Sequence, residues 1–190
     1  MDVYTALRDR RSINTMDGRM PPRETVQRLL DAAIWAPNHH LTEPWRFHII
    51  AGTARESVGN AIGDRLEFEL DMNDPSCVGE VKGARRNLLR APVVIAVSHV
   101  RATDPTTDLE DYAACCCAVQ NLLLAAHADG LASKWRTGAL CEYAATREVL
   151  KLGDDDRLVG FIYLGYPSLS APPDQRERTV PDVSWLGWDS

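Results

Sequence analysis

Three features of the sequence predict a fold of mixed helices and strands. Apolar residues recur at helical spacing through Val26, Leu29, Leu30, Ala33 and Ile34. Two runs rich in β-branched and aromatic residues, WRFHIIA at 45–51 and VVIAVSHV at 93–100, read as strands. Residues 109–129 form the longest helix, apolar nearly all round. A helix without a solvated face has to be covered on several sides, by sheet, by helix or by a second subunit.

The elements follow in order. Residues 2–11 fit a short helix with Val3, Ala6 and Leu7 on one face and Arg8, Arg10 and Arg11 near its end, where cations suit the helix dipole. A second helix begins after Pro21 and Pro22, has Glu24 in its first turn and ends before Pro37. The strand at 45–51 leads to a helix over 53–70, a turn-rich break at 71–76 and a further helix over 78–89 before Pro92. The strand at 93–100 is followed by a polar loop, 101–108, and then by the long helix, which Gly130 stops as a left-handed C-cap. Residues 134–140 and 158–166 read as strands, the second apolar enough for the middle of a sheet. The tail 168–190 holds little core of its own, and Trp185 and Trp188 favour its packing along something else.

Composition excludes several function classes. A chain of 190 residues, 45% of them apolar, makes one ordinary domain or one subunit of an oligomer. With 21 Lys and Arg against 27 Asp and Glu, the net charge of −6 leaves no global positive field to gather nucleic acid or anionic lipid, so any anion is held locally. The stretch 113–128 is broken by Gln120 and Asn121 and falls short of the roughly 20 apolar residues of a bilayer span. The charged N-terminal segment has no apolar core of a secretory signal, and the five cysteines, three of them consecutive at 115–117, make a poor disulfide framework; both point to the cytoplasm. Neighbouring thiols on a helix point about 100° apart and cannot chelate one ion together, so no metal is expected.

Three places carry candidate chemistry. Arg10-Arg11-Ser12 leaves the end of the first helix with two guanidinium groups and a hydroxyl, a set that can clamp a phosphate; the plain alternative is a solvated basic helix end. The stretch 35–45 (WAPNHHLTEPW) is a proline-restricted loop whose Trp35, Asn38, His39 and His40 can wall a small-molecule site, although each histidine alone also reads as a surface imidazole. The stretch 130–138 (GLASKWRTG) pairs a helix stop with a donor-rich strand. Its backbone N–H groups can meet a planar ring and Lys134 or Arg136 can carry a compensating charge; it also reads as an ordinary edge strand. No G-x-G-x-x-G, P-loop or G-x-S-x-G motif is present.

Taken in order, these places resemble the nitroreductase family of flavoproteins, in particular its short, single-domain bacterial members. The matching residues are Arg10-Arg11-Ser12, Ala36-Pro37-Asn38-His39 with Pro44-Trp45, residues 120–126 (QNLLLAA), Gly130-Leu131, Trp135-Arg136-Thr137-Gly138 and Leu164-Gly165-Tyr166-Pro167. The resemblance implies an α+β fold over residues 1–190, with a central mixed sheet flanked by helices. It also implies a homodimer with one FMN in each of two sites at the subunit interface, and a C-terminal segment, 168–190, laid over the partner. Arg10, Arg11 and Ser12 are then expected to hold the FMN phosphate and ribityl chain, His39 to lie by the flavin, and Trp135, Arg136 and Thr137 to line the isoalloxazine edge. Trp35 joins the cofactor-binding set at a position where close short relatives show a basic residue. Asn14 stands where many relatives have arginine, and the basic residues nearest after Tyr166-Pro167 are Arg176 and Arg178.

The activity so implied is that of an FMN-dependent oxidoreductase. By a ping-pong route it takes a hydride from NADH or NADPH and passes electrons to an electron-poor acceptor such as a nitroaromatic or quinone. The protein supplies no nucleophile; it positions, balances charge and excludes water. A dimer that binds or sequesters flavin without turnover is a second reading, suggested by Asn14 and Trp35, and reducibility by nicotinamide separates the two.

Overall fold

The computed structural model describes residues 1–168 and 178–188. Its elements run α1 (Val3–Asp9), α2 (Arg23–Ala33), β1 (Trp45–Ala51), α3 (Ala54–Glu69), α4 (Pro75–Asn87), β2 (Val93–His99), α5 (Pro105–Ala128), β3 (Ala132–Arg136), α6 (Ala139–Glu142), α7 (Ala144–Val149) and β4 (Arg157–Gly165). The strands form one sheet in the order β1-β2-β4-β3. Every pair of strands is antiparallel, so the sheet is not mixed as expected. The parallel element among the described residues is one bridge, Ser12 to Ser133.

The period-two alternation of the strands builds two cores. Ile95, Val97, Ile162 and Leu164 face α2 and α5, and meet Leu29, Val119 and Leu122 there. Val94, Ala96, Phe161 and Tyr163 face α3, α4 and the α6–α7 pair, and meet Ile62, Leu66 and Leu88. The α3–α4 seam is close because Gly59 has no side chain; a Cβ there would sit 2.7 Å from the Arg85 carbonyl oxygen.

Two expectations are corrected by local chemistry. The long helix begins at Pro105, not near Leu109, because Asp104 caps it by accepting the Thr107 N–H at 2.8 Å and proline suits the first turn, which shortens the polar loop. The third strand covers Ala132–Arg136 rather than 134–140; Gly138, at φ 107°, breaks it and the chain turns into α6. On α1, Ala6 is buried, whereas Val3 and Leu7 are 60% and 50% exposed, so the apolar face of this helix is uncovered within one chain. Gly130 takes the expected left-handed C-cap, φ 74°.

Candidate cofactor site

The first helix is built to deliver a cationic turn. Asp2 caps it by accepting the Tyr4 and Thr5 N–H groups at 3.1 Å, and its last backbone bond is Arg10 N–H to the Ala6 carbonyl, also 3.1 Å. At Arg10 the backbone becomes extended (φ −58°, ψ 130°), which throws Arg10, Arg11 and Ser12 off the helix end. The Arg11 guanidinium folds back to donate to the carbonyls of Arg8 and Arg10. Arg10 Nε is buried and has no hydrogen-bond partner among the described residues. Burial pushes the Arg10 guanidinium's pKa down, and the charges of Arg11 and Arg178 push the same way. A half-buried guanidinium crowded by like charge is stabilised by any anion that reaches it. Arg178 thus joins Arg10 from the tail, and Arg176 lies outside the described residues.

The turn docks on the start of β3. Ser12 bridges Ser133, the Ile13 N–H donates to the Ser133 carbonyl at 3.0 Å, and Lys134 Nζ donates to Asn14 Oδ1 at 2.5 Å. Two clusters more than a hundred residues apart in sequence therefore become neighbours on one sheet edge. Beyond Ser133 the outer edge of β3 has no strand partner among the described residues, and Trp135, Arg136 and Thr137 follow along it.

Adjacent strand residues face opposite ways, and this separates Trp135 from Arg136. The Trp135 indole packs toward the α2–α5 core and donates to the Val159 carbonyl at 3.1 Å, next to the bulge between β2 and β4. Gly160 makes room for it: a Cβ there would sit 2.2 Å from the indole nitrogen. Arg136 points the other way, with its guanidinium 5.5 Å from the Tyr163 ring centre. It opens on a cleft of about 400 Å³ lined also by Thr137, Gly138, Asn87, Glu80 and Tyr143. There Tyr143 donates to Glu80 at 2.9 Å and Tyr163 to Asn87 at 3.4 Å. Burial raises the pKa of both phenols, that of Tyr143 to about 12. Glu80, Asn87 and Tyr143 were not anticipated, because nothing in the local sequence marks α4 or the α6–α7 junction as facing a strand-edge arginine.

The remaining candidates lie elsewhere. His39 donates or accepts at Nδ1 with Glu110 Oε2 (2.9 Å) and stacks on His40 at 3.8 Å. Its loop holds His40, Leu41 and Glu43 at positive φ, fixed by Asn38, which accepts the Glu43 N–H at 2.7 Å, and by Thr42, which donates to Asp111 at 2.5 Å. Trp35, at the exit of α2, is 85% exposed. Glu110 and Asp111 are in the second turn of α5, whereas α1 packs toward its far end, where His127 acts on Asp9. Glu110 and His127 are about 25 Å apart along the helix axis. One chain therefore holds Arg10, Arg11 and Ser12 where the turn after α1 meets β3, Arg136 and Thr137 further along the same strand edge on the cleft, and His39 at another corner.

Residues 7–166 match the family model described as Nitroreductase family. The chain is 33% identical over 172 residues to YdjA of Escherichia coli (strain K12), which carries a provisional NAD(P)H nitroreductase name; 90% of this chain and 91% of YdjA are covered. Among solved structures, a nitroreductase-like family protein from Bacillus cereus superposes with a TM-score of 0.81 at 28% identity, over 95% of this chain and 92% of that one. The FMN and NADPH-dependent nitroreductase NfnB of Sphigopyxis sp. strain HMH, at 22% identity, shares the fold with a TM-score of 0.75 over 99% of this chain and all of its own.

Proposed function

Because the chain belongs to the nitroreductase family, we propose that it is an FMN-dependent oxidoreductase that works by a ping-pong route, taking electrons from NADH or NADPH and giving them to a nitroaromatic or quinone. The observation that carries this reading is the buried Arg10 Nε without a partner, set beside Arg11 and Arg178 and next to a Ser12 fixed on β3. A phosphate at this corner satisfies the orphaned donor and offsets the like charges. The open edge of β3 past Ser133 then offers backbone N–H groups, and Arg136 with Thr137 a cleft wall, to a planar ring. The donor set therefore fits FMN. FMN, when bound, supplies hydride acceptance from a nicotinamide and two-electron delivery to an electron-poor acceptor.

The chain's own residues bind, orient and exclude water. Arg10, Arg11 and Ser12 hold the phosphate and ribityl chain. Thr137, Arg136 and the backbone at Trp135 line the ring. His39, held at 2.9 Å by Glu110 and so about 25 Å along α5 from the His127 end, and Trp35 reach the ring from the second subunit of a homodimer. Exposed apolar residues support that assembly. On α5, Leu109 (70% exposed), Ala113 and Cys117 form one stripe, and in the tail Trp185 (61%) and Trp188 (74%) pack on each other at 5.6 Å, with Leu186 and Val180 also exposed. Residues 178–188 on this reading lie over the partner; the rest of the tail expected to do so, 169–177 with 189 and 190, lies outside the described residues. No helix among the described residues is long and apolar enough to cross a membrane, and a cytoplasmic site of action accords with the free cysteines.

The test is an absorbance spectrum of the purified protein, recorded anaerobically before and after NADH or NADPH and again after a nitroaromatic or quinone. Bound flavin that bleaches with a nicotinamide and recovers with the acceptor is expected. Flavin that neither nicotinamide reduces replaces the enzyme with a flavin-sequestering dimer, and a protein that takes up no FMN overturns the reading altogether.

A further inference from the structure

Resting on the FMN reading, we propose that Lys134 supplies the positive charge at the N1–C2 carbonyl edge of the flavin, from β3 instead of from residue 14, and so sets the flavin's reduction potential. Lys134 is half-buried, and among the described residues no carboxylate lies within ion-pair distance of it. Its ammonium donates to Asn14 Oδ1 at 2.5 Å, a neutral acceptor that aims the charge without cancelling it. Asn14 stands where many relatives have arginine, and the Lys134 ammonium touches the residue that stands there.

Position on the strand selects Lys134 over Arg136. Lys134 follows Ser133, which is bridged to Ser12, and so stands between the phosphate corner and the ring end of the edge. The covalent structure of FMN puts N1 and the C2 carbonyl beside the ribityl attachment, on the phosphate side of the ring. Arg136 is two residues further along, roughly 7 Å, and its guanidinium is engaged over Tyr163. Negative charge develops at the N1–C2 edge on reduction, so a cation there binds reduced flavin more tightly than oxidised flavin.

The experiment measures the midpoint potential of FMN-loaded protein by anaerobic spectroelectrochemistry, together with the dissociation constant of oxidised FMN. Lys134→Met is expected to weaken reduced FMN about tenfold more than oxidised FMN, which lowers the two-electron midpoint by about 30 mV. Lys134→Arg and the double variant Asn14→Arg/Lys134→Met are expected to return the potential to the wild-type value. Asn14→Ala, at an exposed position, is expected to shift it in the same direction by less. A Lys134→Met protein that keeps the wild-type potential, whether FMN affinity is unchanged or equally weakened in both redox states, overturns the proposal and leaves the function standing. A wild-type protein that takes up no FMN removes both.

Discussion

Arg10 and Arg11 are adjacent in sequence and physically unlike. Arg11 completes the end of α1 by donating to the Arg8 and Arg10 carbonyls, so its removal costs helix capping as well as any ligand contact. Arg10 is half removed from water, and its Nε donates to nothing among the described residues. A guanidinium in that state costs the folded protein desolvation energy until an anion arrives, which makes it the cleaner probe of the phosphate corner. Arg10→Met keeps the stem that packs against the turn and removes the charge. It is expected to weaken FMN binding by about 1.5–3 kcal/mol, the range for a hydrogen bond to a charged group, with thermal stability of the flavin-free protein unchanged or slightly raised. Fluorescence titration of FMN into the apoprotein checks this, and an unchanged dissociation constant takes Arg10 out of the site.

At the scale of elements, the corner where β1, β2 and β4 meet the first turns of α5 stores a titration. His99, the last residue of β2, is fully buried; neither ring nitrogen has a hydrogen-bond partner, and Nε2 lies 3.6 Å from Asp108 Oδ1. Asp108 is occupied by Arg101 at 3.0 Å and by the Ala102 N–H at 3.2 Å, and Arg101 holds its carboxyl below the usual range. Burial lowers the His99 pKa, against the pull of Asp108 and Asp111. The unfolded chain therefore takes up a proton below about pH 6.5 that the folded chain refuses. Stability is full above that pH and falls as the pH drops toward the folded value, by at most about 1.4 kcal/mol per pH unit for this one proton. Urea midpoints at about pH 7.5 and 5.5 are expected to differ less in His99→Leu than in the wild type, with a residual slope because burial lowers His48 in the same direction; equal slopes remove His99 as the cause. The same corner shows what a sequence carries and what it does not. The strands WRFHIIA and VVIAVSHV and the apolar run of α5 are local patterns, and they stand within a few residues of their expected bounds. The end of β3, the four-residue α6 and the six-residue α7 are too short for periodicity and are set by Gly138, by α6 packing on β4 and by α7 packing on α3. Arg10-Arg11-Ser12 and Lys134 were each legible as cationic, yet their meeting depends on the Ser12–Ser133 bridge, which no local pattern announces.

At the scale of the whole molecule, the decisive dimension is the length of α5. Its first turns carry the anchors of the His39 loop and its last turns carry the phosphate corner, about 25 Å away, too far for one flavin ring to touch both within a chain. On the homodimer proposed above, a two-fold axis through the middle of α5 would turn this separation into contact, because two antiparallel copies would set the Glu110 end of one beside the His127 end of the other. The exposed stripe Leu109, Ala113, Cys117 runs into that middle, where the small side chains of Ala113 and Cys117 would let two helices approach closely. On that arrangement Cys117, exposed at the middle of α5, would lie closest to the axis. A charge there faces its own copy, whereas on a free helix face it meets only water, so Cys117→Arg is expected to leave each chain folded, shift the protein from dimer to monomer and empty it of FMN. Light scattering coupled to size exclusion reads the mass, circular dichroism the fold, and the ratio of visible to ultraviolet absorbance the flavin content. A Cys117→Arg protein that remains dimeric with full flavin moves the interface off α5, and a folded monomer that keeps FMN with wild-type affinity shows that one chain completes the site alone.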